Sequence, residues 1–314
     1  MKLITQPGDG VAPLVKAIND AKKSVEILIF RFDRVEIENA LVKAVSRGVT
    51  ARALIAYTNR GGEKNLRALE MRLLAAGVAV SRTDDDLIRY HGKMMIIDAQ
   101  DLYLMAFNFT NLDIEDSRSF GVITHDTKIV KEAVRLFDAD SKRTEYVANL
   151  DTFVVSPLNA RQVLTEFIKG AKEELLIWDP ALTDPAMVRL LSDRSKAGVK
   201  VRVLGKLSKR VVGAETHPLF MRLHTRTIIR DGGKIFLGSQ SLRTEELDAR
   251  RYDSFTELRQ HVEEFIEQIY NKVRLHSALD YHSPEEFERA QKPEVKWSPA
   301  ALSFLRHEEI YPDV

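Results

Sequence analysis

Hydrophobic positions in this chain of 314 residues follow two rhythms. Continuous apolar runs have strand length, and stripes recurring every three or four residues mark amphipathic helices. The order of predicted elements repeats. Ala21–Ile29 matches Ala171–Trp178, and Arg47–Leu54 matches Ala197–Leu204, both at an offset of 150. A third match, His91-Gly-Lys-Met-Met-Ile-Ile-Asp98 with His224-Thr-Arg-Thr-Ile-Ile-Arg-Asp231, runs at an offset of 133. Between these landmarks the second half has lost 17 residues. The corresponding stretch of the first half, Glu63 to Ala76, carries Leu66, Leu69, Leu73 and Leu74 at helical spacing.

Each half therefore reads as helix, apolar strand, helix, Gly-Val strand and a hairpin carrying the repeated motif. This alternation predicts an α/β fold with helices on the faces of a sheet. Asp231-Gly232-Gly233-Lys234 predicts a two-residue hairpin turn, with Ala99-Gln100-Asp101 a looser equivalent. In the first half a strand follows at Ser119–Thr124 and then a helix over 128–137. In the second half the correspondence stops at Arg251. A helix follows instead, opened by the capping box Ser254-x-x-Glu257, with the stripe Phe255, Leu258, Val262, Phe265, Ile266 and Ile269. A second box, Ser283-Pro284-Glu285-Glu286, starts a shorter helix. Residues 1–150, 151–251 and 252–314 are thus two half-domains and a helical tail, the halves meeting near Pro157.

Composition narrows the function classes. Lys plus Arg (47) nearly cancels Asp plus Glu (46), a net charge of +1. That balance excludes a whole-surface attraction to nucleic acid or anionic lipid, though not a local basic cleft. The absence of cysteine excludes disulfides, thiolate metal sites and a Cys nucleophile. No apolar run reaches the roughly 18 residues of a membrane span, and no signal-peptide core is seen. The expectation is a cytoplasmic protein without a transmembrane segment.

The repeated motif carries the chemistry. His91 and Lys93 fall on one face of a strand, with Asp98 on the other parity. Folding each hairpin is expected to bring Asn108 opposite Gly92 and Lys93, and Ser241 beside His224. Each half would then present an imidazole, a cation (Lys93 or Arg226) and a small polar side chain. This set suits a phosphate. Two imidazoles across a pseudo-twofold axis suit phosphodiester cleavage, one attacking phosphorus and the other protonating the leaving oxygen. No metal or other cofactor is required, and two histidines without a close carboxylate pair suit zinc or magnesium poorly. Asp98 and Asp231 read as turn and hydrogen-bonding positions.

His91-x-Lys93-x4-Asp98 with Asn108 resembles the phospholipase D superfamily, over residues 1 to 251. The resemblance implies two α/β half-domains forming a pseudo-twofold sandwich. It also implies a phosphohistidine on one of His91 and His224, with the other as general acid. Lys93, Asn108, Ser239 and Ser241 would hold the phosphate, with Asp98 and Asp231 as supporting residues. Three positions depart from the family pattern. Arg226 stands for the lysine, Ser241 for the usual Asn within Gly238-Ser239-Gln240-Ser241, and Met105-Ala106-Phe107-Asn108 for Gly-Ser-x-Asn. The second motif is degenerate.

The tail resembles a different family. Tyr270-Asn271-x-x-Arg274-x-His276-Ser277-Ala278-Leu279-x-Tyr281-x-Ser283-Pro284-x-Glu286-Phe287 is similar to the end of insertion-sequence transposases with an integrase core. The likeness spans about Tyr252 to Glu288 and omits the acidic catalytic triad. Neither strand transfer nor DNA contact by the tail is expected, and His276, Tyr270 and Tyr281 read as packing. Glu246, Asp248, Glu115 and Asp116 read as solvated or salt-bridged, Lys142 and Arg143 as solvated surface. His125, His217, His261, His282 and His307 carry no spacing signal.

The reading that follows is a metal-independent phosphodiesterase acting on a phospholipid headgroup or on nucleic acid. Two others stay open: a weakened phosphodiester-binding protein, or a gene-fusion relic with an integrase-like remnant. The residues leave oligomeric state and the identity of the attacking histidine open.

Overall fold

A computed structural model of the chain describes residues 1–57, 63–84, 87, 90–207, 211, 213–217, 219–247, 259–260, 262–263, 265–272 and 282–291. The chain forms two compact units, Met1–Arg251 and Tyr252–Val314.

The first unit holds two sheets. Strand β1 is Lys2–Gln6, β2 Ser24–Ile29, β3 Thr50–Ile55, β4 Ala79–Arg82, β5 Met94–Ile97, β6 Asp101–Met105 and β7 Ser117–Thr124. They lie in the order β1-β7-β6-β5-β2-β3-β4. β2, β3 and β4 are parallel, and the rest antiparallel. In the second half, β8 is Glu174–Leu182, β9 Lys200–Leu207, β10 Glu215–His217, β11 Arg222–Leu223, β12 Arg226–Arg230 and β13 Lys234–Gly238. The second sheet runs β10-β9-β8-β12-β13. Its parallel and antiparallel pairs repeat those of β4-β3-β2-β5-β6. β11 joins the two halves by pairing with β7, Arg222 opposite Ser117.

Burial explains the apolar runs. Five of the six residues of β2 are buried, because helices cover both faces of its sheet. One face packs on α1 (Ala12–Asp20), α2 (Val35–Ser46) and α3 (Glu63–Ala75). The other packs on α5 (Thr127–Lys142), with Phe153 of the inter-half connection seated beside Phe137 in the same cluster. Helix α4 (Asn111–Glu115) lies between β6 and β7. A third core belongs to the second half, under α6 (Ala160–Lys169) and α7 (Pro185–Lys196). Side chains fix the helix starts: Asp126 accepts from the amides of Lys128 and Ile129, and Asp184 from those of Ala186 and Met187. In α3, Leu66, Leu69 and Leu73 are buried as the stripe requires. Leu74, expected with them, is exposed.

Both hairpin turns differ from expectation in the same way. Ile97 pairs with Asp101 and Arg230 with Lys234. Each turn therefore has three residues, not two at Asp231–Lys234. Asp98 and Ala99, like Asp231 and Gly232, have φ between +50° and +62°. This three-residue closure shifts the register. Met105 donates its amide to the Lys93 carbonyl, so Asn108 falls beyond His91 and is not opposite Gly92 and Lys93.

In the second unit, a π-helix spans Phe265–Tyr270 and an α-helix Pro284–Gln291. The Ser283 capping box forms: the Ser283 amide donates to Glu286 (2.9 Å) and the Glu286 amide to Ser283 Oγ (3.3 Å). Val262 and Ile266, expected in an apolar stripe, are exposed. The Ser254–Glu257 box, Asp248, Phe255, Leu258, His261, His276, Tyr281 and His307 lie outside the described residues. No helix among the described residues is long and apolar enough to cross a membrane.

Candidate active site between the two halves

The two motif histidines meet. His91 enters β5 from the first half and His224 enters β12 from the second, their ring centroids 6.2 Å apart and their planes at 76°. β7 of the first half fixes the backbone of His224: its amide donates to the Arg118 carbonyl (3.0 Å), and Ser119 Oγ donates to its carbonyl (2.7 Å). Lys93, Arg226, Asn108 and Ser241 are all buried more deeply than the histidines, at 1, 4, 3 and 0% exposure against 8 and 7%. The two imidazoles are thus the most exposed of these groups.

Lys93 Nζ donates to the His91 carbonyl (2.6 Å) and lies 5.0 Å from the centre of the Phe30 ring. The same ring meets His91 edge-on at 4.8 Å. Phe30 thus positions both the imidazole and the ammonium. His91 Nδ1 lies 3.2 Å from the Ser239 carbonyl oxygen, across the two halves. Ser239, expected to bind substrate, here contributes its main chain.

A buried carboxylate that the motif does not contain lies beside the other histidine. Asp113, in α4, accepts the Asn108 amide (2.8 Å) and Asn108 Nδ2 (2.6 Å), and receives Arg222 Nη1. Its Oδ2 lies 3.2 Å from His224 Nδ1. Asn108 is thereby fixed at the site, and its Oδ1 is buried without a hydrogen-bond partner.

In the second half, Glu246 of helix α8 (Thr244–Leu247) repeats this arrangement. It accepts the Ser241 amide at 2.7 Å, as Asp113 accepts that of Asn108. Of the two positions expected for Glu246, solvated or salt-bridged, the structure shows the second: it is 5% exposed and pairs with Arg226. A buried carboxylate needs partners, and here they are the Ser241 amide and Arg226, 4.0 Å away. The Ser241 hydroxyl is not presented beside His224 as expected: it donates to Asp179 Oδ1. Asp179 also accepts the amides of Ala181 (3.0 Å) and Leu242 (2.8 Å). Burial pushes the Asp179 carboxyl above the usual carboxylate range, and the Arg226 charge offsets this only in part.

Asp98 and Asp231 stand at the far ends of their strands. Asp98 accepts the amides of Lys22, Lys23 and Ser24, and Asp231 those of Lys172, Glu173 and Glu174. Burial works to raise the Asp98 carboxyl, but the amide donors hold it below the usual carboxylate range. The Glu173 amide, with its neighbours, does the same for Asp231. Both clamp the hairpin to the strand beside it. Away from the site, Glu115 pairs with Arg34 as a surface acid would. His125 pairs with Asp101 and His217 with Glu215. Among the described residues no group of three or more His, Asp or Glu side chains converges as metal ligands would.

Comparison with known proteins agrees with this fold. Residues 14–141 match the PLD-like domain of cardiolipin synthase. A 130-residue stretch is 24% identical to mitochondrial cardiolipin hydrolase of Danio rerio, covering 40% of this chain and 56% of that protein. The chain superposes on polyphosphate kinase from Porphyromonas gingivalis with a TM-score of 0.65 at 20% identity, over 85% of this chain and 49% of the kinase. It superposes on phosphatidylserine synthase of Haemophilus influenzae with a TM-score of 0.57 at 12% identity, over 92% and 93% of the two chains. The chain thus spans about half the length of the hydrolase and of the kinase, and the two superpositions establish the phospholipase D-like fold alone. Residues 239–284 match an integrase core domain, starting 13 residues before Tyr252, where the sequence likeness begins.

Proposed function

We propose that the chain is a metal-independent phosphodiesterase of the phospholipase D type, cleaving or transferring a phosphodiester through a phosphohistidine. The observation that carries this reading is the facing pair His91 and His224, one from each half, 6.2 Å apart between ring centres. Reacting atoms about 3–3.5 Å apart leave room for one phosphoryl group between the rings.

Their surroundings divide the roles. The Ser239 carbonyl can only accept, so the proton of neutral His91 sits on Nδ1 and the lone pair on Nε2. The Asp113 carboxylate beside His224 Nδ1 favours the protonated ring. His91 Nε2 attacks phosphorus and forms a P–N bond. The P–O bond to the leaving group breaks as His224 gives that oxygen its proton. In the second step His224 takes a proton from water or an acceptor alcohol, whose oxygen displaces the imidazole. Lys93 offsets the charge that develops on the phosphoryl oxygens. The phosphodiester belongs to a phospholipid headgroup or to nucleic acid, and both fit this chemistry.

The test is hydrolysis of bis(p-nitrophenyl) phosphate in excess chelator by the intact chain and by His91→Ala. Turnover that survives chelation and is lost in the variant is expected. Turnover retained in folded His91→Ala would sink the assignment. The changes at Arg226 and Ser241 favour a second reading, a site that binds a phosphodiester without turning it over. Phosphate affinity in a folded chain that hydrolyses neither this compound nor a phospholipid would select it.

A further inference from the structure

The two half-sites treat their cation differently, and the difference lies in the strand alongside. In the first half Met94 pairs with Leu28, which sets Lys93 opposite Ile29, a residue with no exposed surface. In the second half Thr227 pairs with Trp178, which sets Arg226 opposite Asp179. An apolar residue thus faces one cation and a carboxylate faces the other. Asp179 is 2% exposed. Its two oxygens take the Ser241 hydroxyl and the amides of Ala181 and Leu242. The backbone is shaped to admit it. β8 changes register between Asp179 and Leu182. Opposite it, Gly205 has φ +142°, and a Cβ there would lie 1.7 Å from the Asp179 carbonyl oxygen. On the other side Glu246, 5% exposed, stands 4.0 Å from Arg226. Arg226 Nε and Nη1 are buried without hydrogen-bond partners.

We propose that the second half-site is internally neutralised: Asp179 and Glu246 more than offset the charge of Arg226, Asp179 holds Ser241, and this half-site adds no attraction for a bound phosphate. This rests on the reading of the site as a phosphate site. The two departures in the second half, Arg226 and Ser241, then form one unit. An arginine between two buried carboxylates is stable where a lone arginine would not be, and a serine satisfies Asp179. Nε and Nη1 remain as donors with geometry but without net attraction for an anion. Asp179 is accordingly a positioning residue that sets the anion affinity of the site.

The experiment is calorimetric titration of the full chain with inorganic phosphate, comparing the intact protein with Asp179→Asn and with the double variant Asp179→Asn/Arg226→Gln. Asp179→Asn keeps the shape and removes one of the two negative charges, so Arg226 is opposed by Glu246 alone. Phosphate affinity is expected to rise at least about fivefold, and the rise to disappear in the double variant. A purely structural role for Asp179 would lower affinity or leave it unchanged, and either result in a folded variant overturns the inference. Should Asp179→Asn not fold, Glu246→Gln carries the same expectation, and no gain there, or no folded protein, also overturns it. Phosphate binding is read without turnover, so the two proposals fail separately. A gain in a chain that hydrolyses nothing removes the enzyme and leaves the neutralised half-site. Turnover without the gain does the reverse.

Discussion

Asp113 shows how a site residue escapes a motif search. It stands five positions after Asn108, and Glu246 stands five after Ser241, at the same offset of 133 that relates the histidines. Carried past the strand, the repeat would have paired them. Read singly, an acid on a short polar segment looks like a solvated or salt-bridged surface group, and Glu246 reads that way. Asp179 leaves no periodic signal, because the matching residue is Ile29 and the visible repeat ends at Trp178. His91, Lys93 and His224 were legible because the spacing itself repeats. The Asp113 placement makes a prediction. In Asp113→Asn an amide nitrogen can face His224 Nδ1, which disfavours the protonated ring. We expect kcat to fall about 100-fold with KM nearly unchanged, measured alongside an unfolding midpoint that shows the variant folded. A kcat within twofold of the intact chain would remove Asp113 from the proton transfer.

Elements were legible where apolar residues alternate with turns, and misread where a polar side chain sets the geometry. The three-residue turns at Asp98 and Asp231 follow from each carboxylate reaching back to three amides, a contact more than 50 residues away in sequence that no local turn rule contains. Deleting the Asp98 carboxylate strands these donors, and Asp98→Ala is expected to cost about 2 kcal/mol near neutral pH. The amides hold the folded carboxyl below its unfolded value. Its contribution is therefore full above the unfolded value, about 3.9, and is lost as pH falls through the folded one. Urea unfolding from pH 6 downward should show a constant gap between the two proteins, closing below about pH 4. A gap that stays constant throughout the acid range would assign the loss to something other than the charge.

At the scale of the molecule, the site exists because β7 and β11 join the halves and bring His224 to His91. Two half-domains were readable from the repeat, but their cross-connection was not, since β11 is two residues long. The integrase-like match begins at residue 239, inside the second half, and so includes Ser239, Ser241 and Glu246. Those residues nevertheless bond into the first unit, through the Ser239 carbonyl to His91, Ser241 to Asp179 and Glu246 to the Ser241 amide. The boundary of the working unit is therefore structural and falls at Arg251, not where the second likeness starts. A chain of residues 1–251 is expected to hydrolyse phosphodiester within about twofold of the full length, since every group that touches the phosphate lies in it. A chain of residues 1–238 loses the Ser239 carbonyl beside His91 and the Ser241 hydroxyl and Leu242 amide that Asp179 accepts, which weakens the support of two buried groups. It is expected to be inactive and to unfold at lower denaturant. Equal turnover from the two truncations would place Ser239, Ser241 and Glu246 outside the reaction. Loss of turnover in folded 1–251 would give the tail a part in it.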